Sequence, residues 1–138
     1  MQVILDTNIL VSALISPSGP PAAILQAFLD ERFVLVTCEP QLEEFRRVTR
    51  DPKLRERLRP AEAGTLMNEL RALAMVSKRR LVRVQRSSDP NDDFLLALAD
   101  AASADYLVTG DRSGLLDLHQ HKRTRIVTAR RFSKLLGD

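Results

Sequence analysis

Short apolar runs alternate with longer helical stretches along this chain, and this alternation restricts the possible folds more than any other feature of the sequence. Five runs have the length and the apolar character of strands: residues 3–5, 33–36, 81–84, 106–108 and 125–127. Strands separated in sequence by helices are typical of α/β folds, in which a mostly parallel sheet has helices on its faces. The sequence therefore predicts an α/β fold with a mostly parallel central sheet of about five strands, flanked by helices.

The stretches between these runs carry the start signals and the apolar spacing of helices. Pro20 and Pro40 open two of them, because proline is tolerated in the first turn of a helix. Asp89 is a good N-cap for another, with Pro90 at its first helical position. Residues 61–76 have the spacing of a long amphipathic helix, with Met75 among its apolar positions. The predicted helices cover residues 9–15, a stretch from 20, a stretch from 40, 52–58, 61–76, 91–103 and 130–136.

The composition fits a single domain over residues 1–138 and excludes several functional classes. A chain of 138 residues with 44% hydrophobic and 28% charged residues is ordinary for a soluble globular protein. Its apolar runs are too short to span a bilayer, and its first residues lack the basic and apolar regions of a signal peptide. We therefore expect a cytoplasmic protein without a membrane partner. The single cysteine, Cys38, excludes an intramolecular disulfide framework and a cysteine-based zinc cluster.

The charge balance is basic, and the basic residues are clustered. The formal net charge is +3, and Lys and Arg gather in residues 46–50, 78–86 and 122–131. Such clusters fit contacts with a phosphate backbone or with an acidic protein partner. They also fit a charged surface that is merely solvated, and the sequence leaves these alternatives open.

Four acidic residues lie where predicted strands end or predicted helices begin. Asp6 and Asp111 follow apolar strands, whereas Glu44 and Asp93 lie early in helices. Open parallel sheets bind ligands at the carboxyl ends of their strands, so the four side chains are expected at one edge. Clustered carboxylates are costly unless a cation lies among them, and oxygen ligands suit Mg²⁺ or Mn²⁺. The sequence therefore predicts a metal site at this edge of the sheet.

Helical periodicity distinguishes Glu44 from its neighbour Glu43. The apolar stripe of Leu42, Phe45 and Val48 centres on Phe45 when successive residues are about 100° apart. Glu43 then points away from the stripe towards solvent, whereas Glu44 lies at its border. Glu44 is the acid that we expect at the sheet edge, with Glu43 as its competitor.

The same reasoning applies to Asp92 and Asp93. A buried face through Phe94, Leu98 and Ala101 would place Asp92 nearly opposite that face. There its side chain would complete a capping box at the start of the helix or support the site from outside. Asp93 would flank the buried face, and we expect it to be the ligand.

Each acid also has a purely structural explanation. Asp6 fits an N-cap, for which Asn8 is another candidate, although Asn8 could instead orient a carboxylate or a water. Glu44 could form a rim salt bridge with a nearby arginine, and Asp93 could interact with the helix dipole. Asp111 fits an ordinary turn. We favour the metal site because all four acids are predicted at the same edge.

Several segments resemble the PIN-domain family, in particular the branch assigned to the toxins of bacterial and archaeal toxin–antitoxin pairs (VapC-like ribonucleases). Residues 5–13, Leu-Asp-Thr-Asn-Ile-Leu-Val-Ser-Ala, are similar to the family's opening strand and turn, and residues 42–45, Leu-Glu-Glu-Phe, to its second acidic element. The most specific similarity is Asp-Pro-Asn-Asp-Asp-Phe-Leu-Leu-Ala-Leu-Ala at 89–99, followed by Ala-Asp-Tyr-Leu-Val-Thr-Gly-Asp at 104–111. The resemblance implies a PIN-like three-layer sandwich.

The resemblance also implies an activity and a set of site residues. It implies a Mg²⁺- or Mn²⁺-dependent endoribonuclease that hydrolyses RNA phosphodiester bonds, with a second copy in a homodimer and an inhibitory antitoxin as its partners. It places the catalytic, metal-binding quartet on Asp6, Glu44, Asp93 and Asp111. The supporting polar residues that it implies are Asn8, Thr109 and Asp92.

Two other functions are compatible with parts of the sequence. A catalytically silent PIN-like module would bind RNA or protein without cutting, but retention of all four acids argues against it. An aspartyl-phosphate phosphatase would need a second aspartate two residues after the first, where this chain has Asn8. The sequence therefore favours the metal-dependent nuclease.

Overall fold

A six-stranded sheet forms the centre of the protein. The computed structural model describes residues 1–87, 89–110 and 114–137. The strands in these ranges are β1 (Gln2–Leu5), β2 (Val34–Cys38), β3 (Met75–Ser77), β4 (Tyr106–Thr109), β5 (Gln120–His121) and β6 (Thr124–Thr128). Their order is β3-β2-β1-β4-β6-β5, and all neighbours are parallel except β5 and β6. The predicted α/β fold with a mostly parallel sheet is confirmed.

Helices cover both faces of this sheet. They are α1 (Thr7–Ile15), α2 (Pro20–Leu29), α3 (Glu39–Thr49), α4 (Pro60–Leu73), α5 (Pro90–Ala102) and α6 (Ala129–Leu135), with short 3₁₀ helices at Pro52–Leu54 and Gly114–Leu118. No single helix in the described ranges is long and apolar enough to cross a membrane. Only the pair α1 and α2, bent by 101°, meets the length and composition requirement jointly.

Alternate residues of each strand pack into two separate cores. Val3 and Leu5 of β1 contact the core beneath α1, α2, α3, α4 and α6. Ile4, between them, belongs to the second core, beneath α5. This division follows from the pleat, which directs successive side chains to opposite faces. It also explains why the strands are apolar without interruption, since both of their faces are covered.

One predicted strand is wrong, and a different edge strand takes its place. Residues 81–84 form no strand, because Leu81 and Val84 pack against the α5 core while Val82 is 78% exposed. Burial at a spacing of three does not match the two-residue repeat of a strand. The edge strand is β3, whose Met75 pairs with Val36 of β2. Helix α4 correspondingly ends at Leu73 rather than at residue 76.

Candidate active site

The end of β4 positions the carboxylate of Asp6. Asp6 follows β1, and its backbone N–H donates to the carbonyl of Val108 in the neighbouring parallel strand, at 2.9 Å. Thr109 is fully buried at the end of β4, and its hydroxyl donates to Asp6 Oδ2, also at 2.9 Å. The other carboxylate oxygen caps α1 by accepting from the backbone N–H of Asn8. Asp6 is therefore both a helix cap and a group held at the carboxyl edge of the sheet.

Helix α3 brings Glu44 to the same edge. Glu44 is half-buried and accepts a hydrogen bond from the hydroxyl of Thr7, the residue that directly follows Asp6. Glu43 is exposed, so the two acids are oriented as the apolar stripe of α3 predicts. Among the described residues, Glu44 forms no salt bridge with Arg47 or Arg50.

A buried glutamine fixes the start of α3 relative to β1. The Gln41 side-chain amide donates to the backbone carbonyl of Leu5 at 2.7 Å, and its oxygen accepts from the Thr37 hydroxyl at 2.7 Å. Sequence reasoning missed both Gln41 and Thr7 as site residues. Gln41 lies one helical turn before Glu44, and Thr7 lies beside Asp6, so their proximity to predicted ligands was the available signal.

The adjacent acids Asp92 and Asp93 have different environments. Asp93 Oδ1 accepts from the backbone N–H groups of Arg86 and Ser87 at 3.0 and 2.8 Å, so this carboxylate anchors the loop before α5. Asp92 Oδ2 lies 3.4 Å from the Ser87 hydroxyl, and a Cβ placed on Gly114 would lie 3.9 Å from the same oxygen. The charge of Asp6 also acts on Asp92, raising its pKa after the larger effects of burial and of Asp89.

Helix α5 is buried on several sides. Leu98 of the expected face is fully buried, Phe94 and Ala101 are only partly buried, and Leu95 and Leu96 are buried as well. Asp92 precedes Leu95 and Leu96 by three and four residues and therefore shares their side of the helix. Asp93 likewise precedes the buried Leu96 and Ala97, so burial does not separate the two acids, and the choice of Asp93 as ligand stays a prediction. The predicted N-cap is confirmed, because Asp89 accepts from the backbone N–H of Asn91 at 2.9 Å.

The loop that carries Ser87 is held from the other side by His121. The Arg86 guanidinium lies 2.7 Å from His121 Nδ1, and His121 Nε2 lies 3.0 Å from the Asp100 carboxylate. A guanidinium only donates hydrogen bonds, so Nδ1 accepts and Nε2 carries the proton that is donated to Asp100. His121 is buried and acts as a structural link between this loop and α5.

The electrostatics of the acidic edge are unfavourable for negative charge. Burial raises the pKa of Asp6, and the charge of Glu44 adds to this effect, against the opposing hydrogen bonds from Thr109 and from backbone N–H groups. Burial also raises the pKa of Asp92. Within the described ranges, none of Asp6, Glu44 and Asp92 has a salt bridge. Among the described residues, the fold thus brings these carboxylates together without a salt-bridged cation.

Comparison with known proteins identifies the family. Residues 2–113 match the family model described as the PIN domain. The chain belongs to the PIN-domain family. An uncharacterized protein of Methanocaldococcus jannaschii is 31% identical to this PIN domain over 116 residues, and the match covers 81% of this chain and 72% of the relative. No solved structure matches the chain significantly.

Membership of this family narrows the function to a general class. PIN domains are generally nucleases, which hydrolyse nucleic acids and use divalent metals. The matched region contains Asp6, Glu44, Asp92 and Asp93. Asp111, also within the match, lies outside the described residues. A nuclease-type function and a nucleic-acid substrate are therefore the general properties of this chain.

The donor set at the acidic edge fits a hard, hydrated cation. Asp6, Glu44 and Asp92 offer only oxygen atoms, which suit Mg²⁺ or Mn²⁺ rather than a thiophilic metal. In residues 1–87, 89–110 and 114–137, no three acidic, histidine or cysteine side chains have the spacing of a closed metal cage. Mg²⁺ usually keeps several waters and binds through one or two carboxylates, so a closed cage is not required.

Proposed function

We propose that this PIN domain is a Mg²⁺- or Mn²⁺-dependent endoribonuclease that hydrolyses RNA phosphodiester bonds. The observation that carries the proposal is the group formed by Asp6, Glu44 and Asp92, which lacks a salt-bridged cation among the described residues. Burial raises the pKa of Asp6 and Asp92, so a cation would relieve a cost that the fold leaves in place.

The proposed ligands combine the structure with the family resemblance. Asp6, Glu44 and Asp92 would hold the cation from the described part of the chain, and Asp111 would join them as the resemblance implies. A bound cation supplies an activated water and neutralises negative charge at the reacting phosphate. Asp93, which we predicted as a ligand, has a supporting role in this proposal because it anchors the loop at Arg86 and Ser87.

The other polar residues orient the ligands or face the substrate. Thr109 fixes the Asp6 carboxylate, and Thr7 orients Glu44 through its hydroxyl. Asn8 is exposed beside Asp6, and its side chain has no hydrogen-bond partner among the described residues. We assign the Asn8 amide to binding a phosphate oxygen or the attacking water.

The test is cleavage of RNAs labelled at either end, by the wild-type protein and by Asp6→Asn, with Mn²⁺, with Mg²⁺ and with EDTA. We expect internal cuts that require metal and disappear in the variant, while circular dichroism shows the same fold. Cleavage that persists in EDTA or in Asp6→Asn would contradict the proposal. Tight RNA binding without new ends would instead support the catalytically silent binding module.

The biological role that we propose is that of a toxin in a toxin–antitoxin pair. The support is the resemblance of residues 5–13 and 89–111 to the VapC-like branch. In this role the protein is a cytoplasmic homodimer, formed from a single domain over residues 1–138 and inhibited by an antitoxin protein. Induced expression in a bacterial host should arrest growth, whereas Asp6→Asn should not, and light scattering should give the mass of a dimer. Normal growth with active enzyme would argue for a housekeeping nuclease.

A further inference from the structure

The structure separates the basic residues that are already engaged from those that are not. Lys122 and Arg123 form ion pairs with acidic side chains, and Arg86 is held by His121. By contrast, Arg46, Arg50 and Arg55 have no side-chain partner among the described residues and are all exposed. Arg46, Arg50 and Arg55 therefore form a basic region whose guanidinium groups remain available for a ligand.

These three arginines surround a cleft between α3 and α4. The cleft has a volume of about 560 Å³, within the range of sites that bind small molecules, and Arg46, Arg50 and Arg55 all line it. Apolar side chains, including Leu58 and Met67, form other parts of its wall. Residues 46–59 contain seven basic and two acidic residues, so their local net charge is +5, whereas that of the whole chain is +3. The ligand that this cleft suits is therefore anionic.

Gly64 provides an independent indication that the cleft is kept open. It lies inside α4 and lines the cleft, and glycine weakens a helix interior relative to alanine. Neither a positive φ nor close packing requires glycine here, since a Cβ at this position would meet no atom within 4 Å. Absence of a side chain at residue 64 leaves the cleft wider and contributes nothing evident to the fold.

The cleft and the acidic edge share helix α3. Arg46 and Arg50 follow Glu44 by two and six residues, which corresponds to a rise of about 3 and 9 Å along the helix axis and a turn of about 200° and 240° around it, so they lie on a different face of α3 from Glu44. An RNA strand that has a phosphate at Glu44 must therefore pass around α3 to enter the cleft. Arginine is suited to this contact because its planar guanidinium binds phosphate in a bidentate manner.

We propose that the cleft lined by Arg46, Arg50, Arg55 and Gly64 binds the phosphate backbone of single-stranded RNA. This inference rests on the proposed function for the identity of the nucleic acid. Single-stranded RNA is the occupant because a cleft lined by arginines and apolar side chains can hold one phosphate backbone and an unstacked base. The contacts hold the strand in place and do not read its sequence.

The charge test measures binding separately from cleavage. Arg46→Gln/Arg50→Gln is made in the Asp6→Asn background, and affinity for a short single-stranded RNA is measured by fluorescence anisotropy at several salt concentrations. We expect affinity to fall at least tenfold, and the salt slope to fall by about 1.4 for two lost phosphate contacts. The matched control is Arg57→Gln/Arg59→Gln, which removes the same charge from the connection between α3 and α4, at residues that do not line the cleft. Equal losses of RNA affinity in both double variants would contradict the proposal that the cleft binds RNA.

A second variant blocks the cleft without removing charge. Gly64→Leu places an apolar side chain in open space on a helix, so we expect unchanged or higher thermal stability together with at least tenfold weaker RNA binding. Wild-type affinity in a stably folded Gly64→Leu protein would contradict the proposal. The protein could also bind polyglutamate as tightly as RNA and lose this binding in the same variants. That result would show a site for an acidic protein and would contradict the proposal.

The results are distinguishable from those that test the nuclease itself. The wild-type protein could fail to cleave any RNA while its RNA binding still depends on the cleft. In that case the proposed function fails and this inference stands. If cleavage requires metal and Asp6 but no cleft variant changes RNA binding, the function stands and the inference fails.

Discussion

Aspartates at the two edges of the sheet have opposite electrostatic environments. At the amino edge, Asp105 accepts from the backbone N–H of Gln2 at 2.7 Å and from the Arg123 guanidinium at 2.7 Å. The Gln2 hydrogen bond, followed by Arg123, lowers the pKa of Asp105. At the carboxyl edge, burial raises the pKa of Asp6, and the nearby charge is the negative one of Glu44.

This difference separates a structural carboxylate from a candidate functional one. Asp105 is satisfied by the protein itself, and its contacts link β4 to β1 and to the turn before β6. Asp6 has no salt bridge among the described residues, and burial raises its pKa, so the folded protein retains an unfavourable interaction that a ligand can relieve. Residues of the same type therefore stabilise the fold at one edge and are available for chemistry at the other.

The largest expected effect comes from neutralising Asp6. Asp6→Asn should reduce metal-dependent cleavage by roughly a hundredfold or more, as expected when about 3 kcal/mol of metal-assisted stabilisation is lost. Its metal-free stability should not fall, because the amide avoids the cost of burying a charge while keeping an acceptor for Thr109. Single-turnover kinetics and urea denaturation in EDTA measure the two quantities. A strongly destabilised Asp6→Asn protein would mean that Asp6, like Asp105, mainly stabilises the fold.

The next comparison is between Asp92 and Asp93. Asp92→Asn should lower kcat strongly with little loss of stability, because its carboxylate faces the acidic edge. Asp93→Asn should act mainly through the loop at Arg86 and Ser87, costing about 1 kcal/mol of folding free energy with a smaller change in kcat. Parallel kinetics and thermal melts of the two variants test the assignment. A larger loss of kcat in Asp93→Asn would return the ligand role to Asp93.

Replacement of Asp105 should reduce stability without affecting cleavage. Asp105→Asn should cost about 1 kcal/mol, because charge-assisted hydrogen bonds to Gln2 and Arg123 are weakened. Since its folded-state pKa is lowered, this contribution is present above the ordinary pKa of about 3.9 and is lost as pH falls through the folded value. Denaturation at a series of acidic pH values should show wild type and variant converging. A constant difference down to the lowest pH would contradict this explanation.

Asp6 should show the reverse pH dependence in metal-free protein. Its raised pKa means that the folded state keeps a proton where the unfolded chain has lost one, so its contribution to stability decreases as pH rises between those values. Denaturation in EDTA should therefore show a smaller stability loss for Asp6→Asn than for wild type across that interval. Identical pH profiles of stability for wild type and Asp6→Asn would contradict the explanation that burial disfavours the charged form of Asp6.

The smallest effect is expected at an exposed ion pair of the amino edge. Lys122 lies 3.4 Å from Asp100, but its side chain is 71% exposed, and such pairs contribute little. Lys122→Gln should change stability by less than about 0.5 kcal/mol. A thermal melt with and without added salt checks this value. A larger, salt-sensitive loss would mean that Lys122 supports the buried link between Asp100 and His121.

Parts of the site could be predicted because the sequence contains a clear contrast at those positions. The apolar stripe of α3 alternates with charged residues, so periodicity distinguished Glu44 from Glu43. In α5, residues 95–99 are all apolar and all buried, so no stripe was available to orient the two preceding acids. The choice of Asp93 over Asp92 depended on Phe94, whose large side chain is only partly buried.

Other features depend on contacts between distant segments and had no local signal. The strand over 75–77 forms because β2 has an edge to pair with, whereas 81–84 is apolar but lies against α5 instead. Likewise, Gln41 gives no sign in sequence that it will bond to the carbonyl of Leu5. The locations of Asp6 and Thr109 could be predicted because each lies at the end of a strand. The contact between Thr7 and Glu44 could not be predicted, because it forms only when α1 and α3 pack together.

The buried hydrogen bonds of Gln41 fix the position of α3 relative to the sheet. They attach the beginning of this helix to the end of β1, so α3 cannot slide without breaking two hydrogen bonds away from water. Glu44 and the arginines that follow it must then keep a constant separation. An RNA strand held at both places would be cut at a fixed distance from its point of attachment, because the path around α3 does not change.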